Sequence, residues 1–278
     1  MVRLAWLVGG ALTLSLVACS DDSAVSTPDA SPGHEAGATR LARVCGLLQD
    51  PQARPLQSGD VIVCQGEECR VGESSASGSF CVRVRFANTY LFHVLQNQVQ
   101  GQRSAEILFP VSVSQDAIDN EERLDLGTIT APLIETSNDL DLDKGFAGDA
   151  GDGIHLTIAG GVTTPPPLQS QVSLGATLVS IDQLRDELVK SAGESAKPVA
   201  AAALMPAATT FSQPIEFTLP AKAAAGLTPG TKLRVYRGDP ESGALKQEGT
   251  ATVAADGSIE SEQASGLKGL GWLVVFKE

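Results

Sequence analysis

Apolar residues in this chain come in short runs broken by turn residues, without long helical periods. Between Leu41 and Ala131 the runs are LARVCGLL, DVIVC, GSFCVRVRF, TYLFHVL, AEILFPVSV and LDLGTITA, separated by signals such as Asp50-Pro51, Ser58-Gly59-Asp60 and Ser77-Gly78. That spacing predicts the strands and tight turns of a β-sandwich. The segment Ser79 to Phe86 alternates, with Val82, Val84 and Phe86 on one face and Cys81, Arg83 and Arg85 on the other. It reads as a half-buried strand with its cysteine on the polar side. In the preceding strand Arg43 and Cys45 share one parity and Val44 and Leu48 the other. A second series, GIHLTIAGGV, VSLGATLVSI, KPVAAAALM, PIEFTLP, TKLRVYR, GTATV and GWLVVFK, runs from Gly153 to the last residues. One stretch breaks the pattern: Ile181, Leu184 and Leu188 recur at helical spacing in IDQLRDELVKSAG, which predicts a short helix ending near Gly193. The expected fold class is all-β, with two β-sandwich domains at 41–136 and 153–278 and one short helix in the second.

The intervening stretch, NDLDLDKGFAGDAGDG, is acidic and glycine-rich, and residues 137–152 read as an extended linker whose like charges repel. Asp139, Asp141 and Asp143 alternate as carboxylates do at the start of an EF-hand loop. Lys144 then takes the glycine position and Ala150 that of the bidentate glutamate, so an irregular calcium site on these three aspartates is the minor reading and a solvated linker the main one. His155 reads as an exposed strand residue, His93 as a packed one, and Trp272 as core of the last strand.

The first nineteen residues change the picture. Arg3 supplies a positive start, Leu4 to Val17 an apolar stretch too short for a membrane span, and Leu16-Val17-Ala18-Cys19 its close. This tetrad resembles the lipobox of bacterial lipoproteins. The resemblance implies that residues 1–18 are a signal peptide, that cleavage falls before Cys19, and that Cys19 carries the acyl chains (palmitate among them) that hold the protein to the envelope. Ser20 after the cysteine, by resemblance to enterobacterial sorting, points to the outer membrane. Residues 19–40, rich in Ser, Ala, Asp, Pro and Gly, read as a flexible stalk. His34-Glu35 lies in it without the second histidine of a zinc helix.

Lys plus Arg number 20 against 33 Asp plus Glu, a formal charge of −13. Nucleic acid is excluded as a partner, because phosphate neutralisation needs clustered cations. A body this acidic is also expected to stand off anionic headgroups, leaving anchorage to the lipid.

Cys45, Cys64, Cys69 and Cys81 remain after Cys19. An even number in an exported protein favours disulfides, and four cysteines allow three pairings. Strand parity favours Cys45–Cys81, and close spacing favours Cys64–Cys69 as a staple across a hairpin. Zinc is the rival, but none of the spacings is a Cys-x-x-Cys knuckle.

The stretch RVCGLLQDPQARPLQSGDVIVC, followed by ECRVGESSASGSFCVRVR, resembles the carboxypeptidase regulatory, or prealbumin-like, β-sandwich. Gly46, Pro55-Leu56, Val61, Val63, Gly78 and Phe80 sit at that pattern's positions, while Ser75 replaces the usual threonine and the usual aspartate is missing. The second half is similar to bacterial surface modules akin to the sandwich of ankyrins and netrin receptors. Both resemblances imply interaction modules without catalytic residues.

Motifs for chemistry are missing: GESSA and GSF do not make a nucleophile elbow, and neither His93 nor His155 begins a His-x-x-Glu zinc pair. The expected function is therefore a non-enzymatic envelope lipoprotein that needs no cofactor, its partner another envelope protein or a polysaccharide. A calcium-dependent carbohydrate-binding protein is the second reading. A hydrolase is the third, since carboxylates paired only by folding leave no sequence signature.

Overall fold

Turn chemistry and alternation divide the chain into strands of two to ten residues, which the computed structural model assembles into a nearly all-β body, 55% strand against 8% helix. Residues 40–278 are described, except 96, 97, 100, 168, 196 and 263. The expected signal peptide, residues 19–39 of the expected stalk, Cys19 and His34-Glu35 lie outside them.

The first half contributes β1 (Ala42–Gln49), β2 (Asp60–Gln65), β3 (Glu68–Glu73), β4 (Ser79–Val84), β5 (Asn88–Val94), the short β6 (Gln98–Val99) and β7 (Gln102–Ser104), β8 (Ile107–Val113), helix α1 (Gln115–Asp119), β9 (Arg123–Thr130) and β10 (Leu133–Ile134). Two sheets, ordered β4-β1-β9 and β3-β2-β5-β8, enclose one core. The alternation read along Ser79 onward is present: Phe80, Val82 and Val84 are buried while Ser79, Cys81 and Arg83 are exposed. Phe80 stacks at 5.5 Å on Phe92 of the opposite sheet. Gly46 makes room for that ring, since a β-carbon there would lie 2.9 Å from it. The strand stops earlier than its pattern suggests. Phe86 is 54% exposed, and its backbone turns away, latched by Tyr90, whose hydroxyl donates to the Phe86 carbonyl at 2.7 Å.

The second half contributes β11 (Asn138–Leu140), β12 (Gly145–Gly151), β13 (Ile154–Ala159), β14 (Thr163–Thr164), β15 (Val172–Leu178), α2 (Asp186–Ser191), β16 (Pro198–Met205), β17 (Thr210–Leu219), β18 (Lys232–Gly238), β19 (Leu245–Val253), β20 (Ile259–Ser261), β21 (Leu267–Gly269) and β22 (Gly271–Lys277). Their path is β11-β15-β16-β22-β18-β19-β20-β17-β13-β12. This sheet curls until its ends meet. Asn138 donates to the Asp149 carbonyl, and the Asp152 carboxylate accepts the backbone N–H of Leu178 at 2.8 Å.

The segment expected as a linker is therefore structural: it supplies β11 and β12, the strands that close the sheet. Composition misled because glycine serves two ends, looseness in a linker and close backbone approach in a sheet. Gly151 is of the second kind. Its φ is +137°, and a β-carbon on it would sit 2.2 Å from the Ala176 carbonyl oxygen.

Thr39–Glu278 form one compact unit. The reason is visible on β16 and β22, whose residues are buried on both faces. Ala200, Ala202, Leu204, Leu273 and Val275 point into the core enclosed by the curled sheet. Ala201, Ala203, Met205, Trp272, Val274 and Phe276 point the other way, into the core continuous with the first sandwich. The run of four alanines in β16 keeps this doubly covered strand thin. Helix α2 adds Leu188 to the same shared core.

Candidate functional site

Both disulfides are present. Cys45 of β1 stands directly opposite Cys81 of β4 and is bonded to it. Cys64 and Cys69 face each other across the β2–β3 hairpin and are bonded. Cys81 stays exposed, whereas Cys45, on a central strand flanked by β4 and β9, is fully buried.

The three aspartates do not converge. Asp139 pairs with Ser173 between β11 and β15. Asp141 closes its own turn, accepting the backbone N–H groups of Asp143 and Lys144 at 3.1 Å each and pairing with the Lys144 ammonium at 2.9 Å. These bonds hold the Asp141 carboxyl below its ordinary range, the Lys144 contact most of all. Asp143 is exposed. Among the described residues no three His, Cys, Asp or Glu side chains gather into a metal-binding set, so alternation along β11 puts the carboxylates in a row and not around a point. His155 is exposed and Trp272 buried, as their strand positions imply.

A polar cleft of about 610 Å³ lies where β5, β7, β11 and β15 approach one another, with His93, Arg103, Glu106, Asp139 and Ser173 among its walls. Glu106 is its fixed point. Its carboxylate meets His93 Nε2 at 3.1 Å and accepts the Ala207 N–H at 3.4 Å. Its carbonyl accepts the Trp272 indole N–H at 2.7 Å, and its own N–H points at Met205 Sδ, 3.3 Å away. Every one of those last three partners belongs to β16, β22 or the turn after β16, so the sandwich and the curled sheet jointly set the carboxylate. Across the cleft the Arg103 guanidinium donates to Ser137 Oγ at 2.9 Å and to the Ser173 carbonyl at 3.3 Å. Burial pulls Arg103 below its usual range, opposed by the charge of Asp139.

The cleft thus offers carboxylate acceptors, a guanidinium, an imidazole and a hydroxyl against the apolar edges of Leu95 and Pro206, a mixture suited to hydrogen-bonded recognition of a polar ligand. Ser173 Oγ is held by Ser137 and His93 by Glu106, so no serine–histidine nucleophile pair is assembled from these groups. Sequence inspection passes over Glu106 and Arg103. The only hint is a lone acid at the mouth of the apolar run ILFPVSV, a position where a buried charge needs partners from elsewhere in the chain.

The fold and cleft define a disulfide-stapled, β-rich protein. No family model matches the chain, and no curated protein matches it. Among solved structures, the TIE protein of Bacillus anthracis is similar at a TM-score of 0.28 and 8% identity, over 86% of this chain and 48% of that one. The chain therefore spans about half of that protein's length. A DUF3823 family protein from Parabacteroides merdae gives 0.24 and 5% over 86% and 99% of the two chains. A streptococcal ancillary pilin gives 0.20 and 11% over 86% and 95%. Likenesses this low carry no argument about what the protein does.

Proposed function

We propose that this chain is an exported bacterial lipoprotein, anchored in the outer membrane through an acylated Cys19, that presents its β body as a non-enzymatic structural or binding element. The observation that carries the reading is the state of the sulfur. Four of the chain's five cysteines are joined in pairs within the body, and disulfides of this kind persist in oxidising space outside the cytoplasm. The fifth, Cys19, closes the lipobox-like tetrad. The cleft around Glu106 is the seat for a polar partner, an envelope polysaccharide or a polar loop of an envelope protein. Calcium has no support from the positions of Asp139, Asp141 and Asp143.

Expression in a bacterial host with labelled palmitate tests the reading. The wild-type chain is expected in the membrane pellet and labelled, and the Cys19→Ser variant unlabelled. A wild-type chain that is soluble and unlabelled overturns it.

A further inference from the structure

We propose that the outer face of the β4-β1-β9 sheet is a docking surface for the phosphates of an anionic phospholipid bilayer. Strand register puts Arg83, Arg43 and Arg123 directly opposite one another, one on each of three neighbouring strands. All three are exposed. At the usual strand separation the three guanidinium stems span only about 10 Å. Like charges placed directly opposite on a sheet destabilise it, so the row is a cost to the fold that an anion would relieve.

The rest of the molecule treats its arginines differently. Arg54, Arg70, Arg185, Arg234 and Arg237 each pair with a carboxylate. Arg40 and Arg103 hydrogen-bond to oxygen atoms of the chain. Among the described arginines, the four whose side chains have no hydrogen bond or ion pair are Arg43, Arg83 and Arg123 of the row and Arg85 just beyond β4. Glu121, Glu122 and Asp125 lie nearby in sequence, yet no ion pair joins them to the row; Asp125 instead accepts the Gly127 N–H at 2.8 Å. A net charge of −13 hides this segregation. Guanidinium groups suit the recognition, since their planar forks bind phosphate oxygens in pairs.

Choice of a bilayer over a soluble polyanion rests on the anchored reading. Arg43 follows Cys19 by 24 residues (43 − 19), and a chain of that length reaches at most about 80–86 Å even when fully extended. The face is therefore held at high effective concentration next to the lipid, and screening hides the acidic far side of the body beyond about one Debye length, roughly 10 Å.

The test uses residues 19–278 carrying Cys19→Ser, the proposed mature chain, so that neither acyl chains nor the apolar stretch Leu4–Val17 can hold it to a bilayer, and co-flotation with vesicles of phosphatidylcholine alone or mixed with phosphatidylglycerol. The account expects binding to the mixed vesicles, loss of that binding at high salt, and a roughly 100-fold weaker partition for R43Q/R83Q/R123Q. A variant with the same charge change elsewhere, K190Q/K268Q/K277Q, should stay within about twofold of the parent, because those lysines are exposed but off this face. Equal binding to both vesicle types, or equal losses in the two triple variants, overturns the proposal. So does retention of dextran sulfate by a chain that ignores the vesicles.

Discussion

Removing the two disulfides separately should reveal how differently they act. The Cys45–Cys81 bridge closes a loop of sequence separation 36, and the Cys64–Cys69 bridge one of only 5. In the chain-entropy treatment a cross-link restricts the unfolded chain by an amount that grows with the logarithm of loop length. These separations give about 4 kcal/mol for the long loop and about 2 kcal/mol for the hairpin staple. For a body of this size each kcal/mol moves the melting temperature by about 2–4 °C, so C45A/C81A should melt about 8–16 °C lower and C64A/C69A about 4–8 °C lower. Urea titration followed by tryptophan fluorescence checks the order, with dithiothreitol added to the wild type to reproduce both losses together. The reasoning fails if the hairpin variant loses as much as the long-loop variant, or if reductant leaves the wild-type transition where it was.

Three further outcomes follow from the packing and charge. Gly151→Ala should cost at least about 2 kcal/mol, through its left-handed backbone and its collision with Ala176, whereas Gly66→Ala, with open space around the site, should cost about 1 kcal/mol; chemical denaturation of the two variants compares them. Trp272→Ala and Leu273→Ala point into opposite cores from adjacent positions on β22, and each should lower one and the same unfolding transition by about 2–5 kcal/mol; two separated transitions in calorimetry would contradict the shared sheet. Glu262 has its carboxyl pulled down to about 2, first by Lys232 and then by the Thr250 and Thr252 hydroxyls. A carboxyl depressed on folding contributes stability that is full above its unfolded value near 4.5 and fades as pH falls toward about 2. The urea midpoint of wild type should therefore exceed that of Glu262→Gln by a constant margin at neutral pH and converge with it below about pH 2.

Much of the first sandwich was legible because its strands expose one face: the alternation of Val82 and Val84 against Cys81 and Arg83 pointed to both the strand and the cysteine facing its partner, although Phe86, read on the same buried face, lies beyond the strand and is exposed. The expected helix was legible only in part: Leu188 lies on α2, whereas Ile181 belongs to a separate 3-10 turn and Leu184 is extended between the two. The second half was harder where strands are covered on both sides, since KPVAAAALM and GWLVVFK carry no alternation to say which core each residue enters. The acidic stretch was misread for a related reason. Its glycines answer to the backbone of Ala176 and Ile158, neighbours that only the folded chain supplies. The cleft was hidden further still, because Glu106 owes its position to Trp272, 166 residues away. The arginine row shows the same limit, since register across three strands is invisible in a charge count.

Export and acylation are tested most directly at the first mature residue. Protein expressed in a bacterial host, digested under non-reducing conditions and weighed by mass spectrometry, should begin at Cys19 with the added mass of its acyl chains, and should yield the Cys45–Cys81 and Cys64–Cys69 peptides still joined. A chain that retains residues 1–18 without acyl mass, its four remaining thiols reduced, would contradict it.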